Sequence, residues 1–350
     1  MKAVVYYGPG DIRVEERPEP QAHEDNLVLA VVCCAVCGTD LKLGTIGNPR
    51  CHPPRIIGHE MVGTVLHRGT AVKDFAVGDR VTLATTVSCG RCYFCRSKRG
   101  NVCPNAKPIS YDFDGAFAEY LSVPRVAIEG GNVIKVPESV ADEAAALSEP
   151  LSCAINAQDL AGVGEGDAVL VWGGGPLGAL HAELAKARGA SDVIIVGNSE
   201  PRLSLLRKLA GICVVDGRNS DVSAFIRDRT DGLGVDVAVI CAPLREAHEE
   251  VVDYVRKGGA VSLFASLPRH DSAITLDSRL IHYGELKLVG ASDSRPEHVA
   301  AAVRLLAEGR LRADALITHR LPLECVHDAL RLMQERSCLK VLLYPKGLST

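Results

Sequence analysis

Four cysteines have the spacing of a closed metal site. They follow the pattern Cys-x2-Cys-x2-Cys-x7-Cys at Cys89, Cys92, Cys95 and Cys103. The two-residue spacers let neighbouring thiolates point at one centre, and the longer return brings in the fourth. Four thiolates saturate a tetrahedral Zn²⁺ and leave no open position. The spacing therefore predicts a structural zinc lobe at about residues 89–103, which would perform no chemistry itself.

A second and sparser set of residues has the composition of an open zinc site. Cys37 begins the segment Cys-Gly-Thr-Asp, His59 and Glu60 are adjacent, and Glu149 lies much further along the chain. Thiolate, imidazole and carboxylate are ligand types that can leave one zinc position free, as a catalytic site requires. Each fragment is also compatible with an ordinary buried cysteine or a polar histidine, so the spacing leaves both interpretations open.

A glycine-rich loop predicts a dinucleotide site. It follows a buried strand-like segment, 167–172, and opens a helix-like segment, 177–188. The glycines of a Gly-x-Gly-x-x-Gly loop allow a tight turn and a close approach of the pyrophosphate, which then meets free N–H groups at the helix N-terminus. The residues expected to bind the cofactor here are Gly173, Gly175, Pro176, Leu177 and Gly178.

The end of the following strand bears on the choice of nicotinamide cofactor. NAD enzymes usually place Asp or Glu there, on the ribose 2′-hydroxyl, whereas this chain has Gly197, Asn198 and Ser199. The missing carboxylate removes a charge that would repel a 2′-phosphate, and the two polar side chains can donate to that phosphate. We therefore expect NADP to be favoured and NAD to be possible, with Arg202 and Arg218 as further contacts.

The hydrophobic pattern divides the chain into two kinds of segment. Residues 1–125 contain short strands separated by Gly and Pro, which is typical of an antiparallel or barrel-like unit. From about residue 160, strands alternate with helices, which predicts a doubly wound parallel sheet. Among the later elements, the pattern predicts a helix over 201–210 and a strand over 260–264.

Length and charge exclude several classes of protein. The chain has 350 residues, enough for about two domains, and its formal net charge is -4. No global basic field exists to hold nucleic acid or an anionic membrane, so neither is expected as a partner. No apolar run is long enough for a membrane span, and the N-terminus lacks a signal-peptide pattern. We therefore expect a soluble, cytoplasmic protein, and reduced rather than disulfide-bonded cysteines.

Together these motifs resemble the zinc-dependent medium-chain dehydrogenase/reductase family, and most of all its sorbitol, polyol and threonine dehydrogenase branch. The resemblance covers the whole chain, with the motifs in family order. They are Cys37–Asp40, Gly58–Glu60, Val77–Val81, the four-cysteine segment, Gly115–Tyr120, Glu149–Leu151 and the glycine loop.

The resemblance implies an α/β fold of two domains. A GroES-like, β-rich catalytic domain would comprise residues 1–153 and 291–350 and carry the zinc lobe. A doubly wound, parallel-sheet Rossmann domain would comprise residues 154–290. The family also implies a homodimer or homotetramer with two zinc ions in each subunit.

The resemblance further assigns roles around the open site. Cys37, His59 and Glu149 would ligate a catalytic zinc, and Glu60 would be an exchanging fourth ligand or lie just behind the ligands. Thr39 would pass the proton of the substrate hydroxyl outward.

Lys42 stands where many relatives carry a histidine near the end of this proton relay. It is therefore either a relay residue or an ordinary solvated lysine.

The implied reaction is the reversible oxidation of a secondary alcohol to a ketone, with hydride transfer to the nicotinamide. The implied substrate is a small polyhydroxylated molecule such as a sugar alcohol, a sugar or a cyclitol. Asp112 and Arg295 are candidates to bind its further hydroxyls.

Two alternatives remain open. A threonine-type amino-alcohol dehydrogenase would use Arg295 to bind the substrate carboxylate. A zinc-knuckle nucleic-acid binder on a dehydrogenase scaffold would instead use the basic residues of the cysteine segment, Arg91, Arg96, Lys98 and Arg99.

Overall fold

The polypeptide forms two units, and the first is assembled from both ends of the chain. The computed structural model describes residues 1–347. The first unit comprises residues 1–152, 293–335 and those from Lys340 onward, and the second comprises residues 153–292 and 336–339. The first boundary falls within a helix, Ser148–Ala161.

The N-terminal part of the chain contains short strands and only short helices before residue 148. In chain order these elements are β1 (Lys2–Gly8), β2 (Asp11–Glu16), β3 (Leu27–Ala35), α1 (Gly38–Ile46), β4 (Arg55–Ile56), β5 (Glu60–Arg68), β6 (Arg80–Leu83), β7 (Thr86–Val87), α2 (Tyr93–Arg96), β8 (Lys107–Pro108), β9 (Tyr120–Val123), α3 (Arg125–Glu129), β10 (Val133–Lys135), α4 (Asp142–Ala146) and α5 (Ser148–Ala161).

The middle part of the chain alternates strands with helices, and the C-terminal part returns to the first unit. The alternating elements are β11 (Ala168–Trp172), α6 (Pro176–Ala187), β12 (Asp192–Gly197), α7 (Glu200–Leu206), β13 (Cys213–Asp216), α8 (Val222–Arg229), β14 (Val235–Ile240), α9 (Arg245–Glu250), β15 (Val255–Leu263), α10 (Ser278–Gly284) and β16 (Lys287–Gly290). The returning elements are α11 (Pro296–Ala307), β17 (Ile317–Pro322), α12 (Val326–Gln334) and β18 (Lys340–Tyr344).

The main sheet of the first unit has seven strands in the order β10-β6-β5-β3-β18-β17, with β9 also paired to β3. Its neighbours are antiparallel, as the sequence predicts, apart from the parallel pair β17 and β18. The central strand β3 is almost wholly buried, because strands flank it on both sides. It places Ala35 between Glu60 of β5 and Leu342 of β18, and this register decides which side chains meet just beyond its end.

The second unit is built on a six-stranded parallel sheet in the order β13-β12-β11-β14-β15-β16. The prediction of a doubly wound parallel sheet is therefore confirmed. Fully buried Leu170, Ile194 and Val261 belong to its core, and the ring of Trp172 stacks on that of Tyr254 with centroids 5.3 Å apart.

Two predicted elements of this unit have different lengths in the structure. The helix predicted over 201–210 is α7, which ends at Leu206; Gly211, with φ at +72°, lies in the turn that follows. The strand predicted over 260–264 is β15, which starts at Val255. The pair Gly258-Gly259, which by composition suggests a turn, instead lies inside the strand where its register with β14 shifts.

Within residues 1–347, none of the helices combines the length and the apolar character that a membrane crossing requires.

Candidate metal centres and nucleotide-binding site

The four predicted lobe cysteines converge on one point in the first unit. The Sγ atom of Cys92 lies 3.4 Å from that of Cys95 and 3.7 Å from that of Cys103, and the Sγ atoms of Cys89 and Cys95 are 3.9 Å apart. Thiolates bound tetrahedrally at about 2.3 Å from zinc would be about 3.8 Å apart. The donor set and its spacing therefore fit a closed Zn²⁺ site.

The local backbone prepares this lobe for a cation. Backbone N–H groups of Arg91 and Cys92 lower the pKa of Cys89 to about 6, whereas burial raises the pKa of Cys103 to about 11. The lowered pKa favours the thiolate of Cys89, which is the form that binds a metal, whereas Cys103 requires a compensating positive charge to lose its proton.

Cys37, His59 and Glu60 form a second group, whose ligand atoms all lie within 4.8 Å of one another. Cys37 is the residue before α1, and Glu60 begins β5. The antiparallel register of β3 with β5 sets Ala35 opposite Glu60, so Cys37, two residues beyond Ala35, lies beside this pair. The structure therefore brings Cys37 next to His59 and Glu60, which lie 22 and 23 positions further along the chain.

Gly58 fixes the backbone from which His59 is presented. Its φ is +91°, a conformation that favours glycine, and a Cβ atom there would lie 2.4 Å from the ring of Phe117. Gly115 completes this contact, since a Cβ on that residue would lie 2.3 Å from the carbonyl oxygen of Gly58. The loop that carries His59 is thus held by close packing.

Asp40 binds the backbone of Cys37 and lies beside His59. Its fully buried carboxylate accepts a hydrogen bond of 2.8 Å from the backbone N–H of Cys37 through Oδ2. Its Oδ1 lies 3.7 Å from Nδ1 of His59, and within residues 1–347 neither of these two buried atoms has a hydrogen-bond partner. The other imidazole nitrogen is left for a metal, because a ligating histidine commonly has a carboxylate on its second nitrogen.

The electrostatics of this group favour a bound cation. Burial opposes a charged His59, but the Asp40 carboxylate, Cys37 and Glu149 outweigh it and hold the pKa of His59 well above its usual range. Burial raises the pKa of Glu149 to about 7, although nearby His59 acts in the opposite direction. Glu149 also accepts a hydrogen bond of 3.2 Å from the hydroxyl of Thr85. Several buried acidic groups therefore surround one imidazole, and this donor set fits Zn²⁺.

Lys340 is a residue of this group that sequence reasoning missed. Its Nζ lies 2.6 Å from Oε1 and 2.5 Å from Oε2 of Glu60, and the two side chains are only 2% and 1% exposed. Glu60 precedes Lys340 by 280 positions, so no local spacing could pair them. The available signal was a lone lysine within the apolar segment 338–343.

The two predicted relay residues lie on α1. Thr39 is half-buried in its first turn, and Lys42, three residues later, is exposed. Residues three apart share one side of a helix, so both remain candidates for a path from the metal group to solvent.

Two uncharged polar groups that were not expected from the sequence, Asn48 and Tyr111, bind each other, and Tyr111 lies within electrostatic reach of Asp40 and Cys37. Nδ2 of Asn48 donates a hydrogen bond of 3.2 Å to the hydroxyl of Tyr111. Burial and the charge of Asp40, together with Cys51 and Cys37, raise the pKa of Tyr111 to about 12. Tyr111 therefore keeps its proton and can donate it to a ligand oxygen.

The guanidinium of Arg295 contacts three neighbouring residues of the first unit. It donates to the carbonyl oxygen of Lys98, lies 2.7 Å from Nε2 of His298 and forms a 3.0 Å ion pair with Glu297. In this conformation the guanidinium therefore has protein partners, and a role for Arg295 in binding substrate hydroxyls or a carboxylate stays a prediction. Asp112 is exposed in the loop after β8.

Of the four basic residues in the lobe, Arg96 has a local hydrogen-bond partner. Nη1 of Arg96 donates to the carbonyl oxygen of Arg91 at 2.5 Å. This contact and the one from Arg295 to the carbonyl oxygen of Lys98 brace the lobe backbone.

The glycine loop of the second unit has the shape of a phosphate cradle. Gly173 has φ at +130°, and a Cβ there would lie 2.8 Å from the backbone nitrogen of Ala242. A Cβ on Gly178 would lie 1.8 Å from the carbonyl oxygen of Gly173. Gly175 caps α6, and Pro176 and Leu177 form its first turn. The loop therefore leaves room for a ligand at the N-terminus of a twelve-residue helix.

The residues predicted to select the cofactor lie around the end of β12. Gly197 is its last residue, and a Cβ there would be 3.3 Å from Cα of Gly174 in the loop. Arg202 binds the carbonyl oxygen of Cys338 through Nε at 2.9 Å, and its Nη1 lies 3.7 Å from the position of a Cβ on Gly175.

Two of these residues already have partners. The hydroxyl of Ser199 donates to the carbonyl oxygen of Arg336 at 3.0 Å. Arg218 binds both carboxylate oxygens of Asp216, at 2.9 and 2.7 Å, and approaches Glu200 at 3.4 Å. Arg218 is exposed, but its guanidinium is already paired with acidic side chains, which a 2′-phosphate would have to compete with. Asn198, next to Gly197, offers an uncharged donor instead.

The first unit, with its two sets of zinc-type ligands, and the second, with its dinucleotide loop, define the class of zinc-dependent, nicotinamide-linked alcohol dehydrogenases. Family models agree: residues 23–138 match the alcohol dehydrogenase GroES-like domain and residues 176–308 match the zinc-binding dehydrogenase domain. The chain belongs to the zinc-dependent medium-chain dehydrogenase/reductase family.

Relatives cover nearly the whole chain. An L-threonine 3-dehydrogenase of Thermococcus kodakarensis is 35% identical over 99% of this chain and 97% of its own length. A sorbitol dehydrogenase of Halalkalibacterium halodurans is 33% identical over 99% of both chains. A solved structure described as a zinc-binding dehydrogenase of Sinorhizobium meliloti 1021, bound to NADP, is 32% identical with a TM-score of 0.89 and covers 98% of this chain and 99% of its own.

Proposed function

We propose that the protein catalyses the reversible oxidation of a secondary alcohol of a polyol, sugar or cyclitol to the ketone, with NADP favoured as hydride acceptor. The observation that carries this proposal is the convergence of Cys37, His59 and Glu60, with Glu149 beside them, in a chain that also has a dinucleotide cradle. The substrate class is supported by the relatives named sorbitol dehydrogenase and by a D-arabitol-phosphate dehydrogenase of Enterococcus avium at 31% identity.

Two zinc ions per subunit fit the two ligand groups. The four lobe cysteines would hold one. Cys37, His59 and Glu149 would hold the other, with Glu60, which lies within 4.8 Å of the ligand atoms of Cys37 and His59, as an exchanging ligand or a group behind them. Zinc at the second position supplies Lewis-acid chemistry to an alcohol oxygen. In this proposal Asp40, whose Oδ1 lies 3.7 Å from Nδ1 of His59, would orient the imidazole of a zinc-bound His59. Thr39 would accept the substrate hydroxyl proton and pass it toward Lys42.

The side chains near this group favour an uncharged substrate. Asn48 and Tyr111 offer a hydrogen-bond network that suits further hydroxyl groups. A threonine-type substrate remains the second candidate because of the identity to threonine dehydrogenases. Its carboxylate would need a cation, and Arg295 is engaged by Lys98, His298 and Glu297.

NADP preference is supported by Gly197, which carries no carboxylate at the position where NAD enzymes place one. The related structure bound to NADP is consistent with this choice.

A homodimer or homotetramer is proposed from the family and from β16. This edge strand of the six-stranded sheet leaves Lys287 and Gly290 exposed, and an unpaired edge is a template for a second chain. We also expect the GroES-like domain at 1–153 and 291–350, the Rossmann domain at 154–290, and a cytoplasmic location.

A panel of substrates tests the proposal. Polyols, cyclitols and L-threonine would each be assayed with NADP⁺ and with NAD⁺, using Cys37→Ser as a control that retains the second unit. We expect a polyol or cyclitol to give the highest kcat/KM and Cys37→Ser to give no turnover. A dominant rate with L-threonine would replace the proposal by the threonine-type alternative.

A further inference from the structure

A short segment of the chain returns to the second unit beside the predicted cofactor residues. Helix α12 and strand β18 belong to the first unit, but residues 336–339, which lie between them in the chain, belong to the second. Arg336 begins this segment with φ at +55°, and it is exposed. The segment therefore places an arginine from a distant part of the chain on the unit that carries the glycine loop.

Two hydrogen bonds attach this segment to the residues that follow β12. The hydroxyl of Ser199 donates to the carbonyl oxygen of Arg336 at 3.0 Å, and Nε of Arg202 donates to the carbonyl oxygen of Cys338 at 2.9 Å. Ser199 precedes α7, and Arg202 lies in the first turn of that helix. The backbone of Arg336 is thus fixed close to the end of β12, where the ribose of a dinucleotide is expected.

Two arginines of this region lie near each other without an acidic partner. Burial lowers the pKa of Arg202; Cys338 acts in the opposite direction, and the positive charge of Arg336 lowers the pKa further. Nη1 of Arg202 also lies 3.7 Å from the position of a Cβ on Gly175 of the glycine loop. Within residues 1–347, no carboxylate forms an ion pair with either guanidinium. Neighbouring guanidinium groups that no acid neutralises are suited to bind a phosphate group.

Arg218, the more obvious candidate from the sequence, neutralises an acidic residue instead. The register of β12 with β13 sets Asp216 opposite Gly197. Arg218 donates to both oxygens of the Asp216 carboxylate, at 2.9 and 2.7 Å, and holds the pKa of Asp216 well below its usual range. Arg218 therefore offsets a negative charge that would otherwise repel a 2′-phosphate near Gly197.

We propose that Arg336, together with Arg202, binds the 2′-phosphate of NADP, and that Arg218 serves to neutralise Asp216. This proposal rests on the NADP preference within the proposed function. The missing carboxylate at Gly197 only permits a 2′-phosphate, whereas Arg336 supplies the positive charge that attracts it.

Calorimetric titration of the full, zinc-loaded chain with 2′,5′-ADP and with 5′-AMP tests this assignment, because the two ligands differ only in the 2′-phosphate. We expect the wild type to bind 2′,5′-ADP at least about tenfold more tightly, the effect of one charge-assisted hydrogen bond. Arg336→Gln should lose this preference while its affinity for 5′-AMP stays unchanged. Arg336→Lys keeps the positive charge and should retain part of the preference.

Two control variants separate a direct contact from a general change of charge. Arg207→Gln removes an arginine of the same region that is paired with Glu200. Asp216→Asn/Arg218→Gln removes the carboxylate and its partner together. Both controls should keep the wild-type preference. A preference that survives in Arg336→Gln, or that is lost as strongly in either control, would overturn the proposal.

Failure of this inference is distinguishable from failure of the proposed function. If the wild type and Arg336→Gln both prefer 2′,5′-ADP, the NADP preference stands and the role of Arg336 is rejected. Equal affinity of the wild type for both ligands would reject the NADP preference together with this inference. No alcohol enters the titration, so a lack of alcohol oxidation would reject the proposed reaction without affecting the result for Arg336.

Discussion

The hydroxyl of Thr39 stands two residues after Cys37, in the first turn of α1, and is half-buried. A hydroxyl in such a place can both accept and donate a proton, which a relay from the substrate to solvent requires. The exposed Lys42, three residues further along the helix, gives this path an outer end.

Thr39→Val keeps the shape of the side chain and removes the hydroxyl. Turnover should fall by about 10²–10⁴-fold, the usual contribution of a positioned acid–base group, while the zinc content stays unchanged. Steady-state kinetics on zinc-loaded protein measure this loss. Lys42→Ala is the matched comparison on the same helix, and a milder loss that small buffer bases partly restore would place Lys42 in the relay. A Thr39→Val enzyme with the wild-type rate would remove Thr39 from the mechanism.

Gly197, at the end of β12, has no carboxylate at the position where NAD enzymes usually carry one. One charge-assisted hydrogen bond to a 2′-phosphate contributes about 1.5–3 kcal/mol, which corresponds to at least about tenfold in kcat/KM in favour of NADP⁺. Gly197→Asp should erase or reverse this preference by repelling the phosphate and accepting from the ribose. Kinetics with both cofactors measure the ratio.

Gly197→Ala is the control for this change, because a Cβ there would lie 3.0 Å from Cδ2 of Leu203. The alanine variant should lose some affinity for both cofactors without changing their ratio. A wild-type enzyme that prefers NAD⁺ would show that Gly197, Asn198 and Ser199 bind the ribose in another way.

At the scale of elements, local motifs and long-range registers differ in how well the sequence predicts them. The four-cysteine lobe and the glycine loop could be predicted because the residues that form each of them lie in one short segment, 89–103 and 173–178. The contact of Lys340 with Glu60 could not, since it depends on β18 pairing with β3 and on β3 pairing with β5.

Arg295 also shows that residue type alone does not predict long-range contacts. Its residue type suited a substrate carboxylate, but its contacts with Lys98 and His298 follow from how α11 meets the lobe. Asp40, in contrast, stands inside a motif that was recognised, and its role became visible only when its distance to His59 was known.

The lobe should act as a structural clamp that depends on its metal. Cys95→Ser removes one of four converging thiols, so the protein should lose one zinc per subunit and unfold at a lower temperature. Thermal unfolding followed together with metal analysis measures both effects. Cys325→Ser is the control, because Cys325 is half-buried and lies outside both ligand groups. Unchanged stability and zinc content in Cys95→Ser would show that the lobe does not bind zinc.

At the scale of the whole molecule, the main feature is that the metal-ligand groups and the nucleotide loop belong to different units. Both sets of zinc-type ligands belong to the first unit, and the glycine loop and Gly197 belong to the second. Metal binding and nucleotide binding should therefore be separable by mutation. A change at Cys37 should leave the second unit able to bind the cofactor.

The most direct test is to measure zinc content, cofactor binding and turnover on the same preparations of the wild type and of Cys37→Ser. We predict two zinc ions per subunit and full turnover for the wild type. We predict one zinc ion, unchanged cofactor binding and no turnover for Cys37→Ser. Full activity in Cys37→Ser without metal at the second site would contradict the assignment of Cys37, His59 and Glu149 as the catalytic centre.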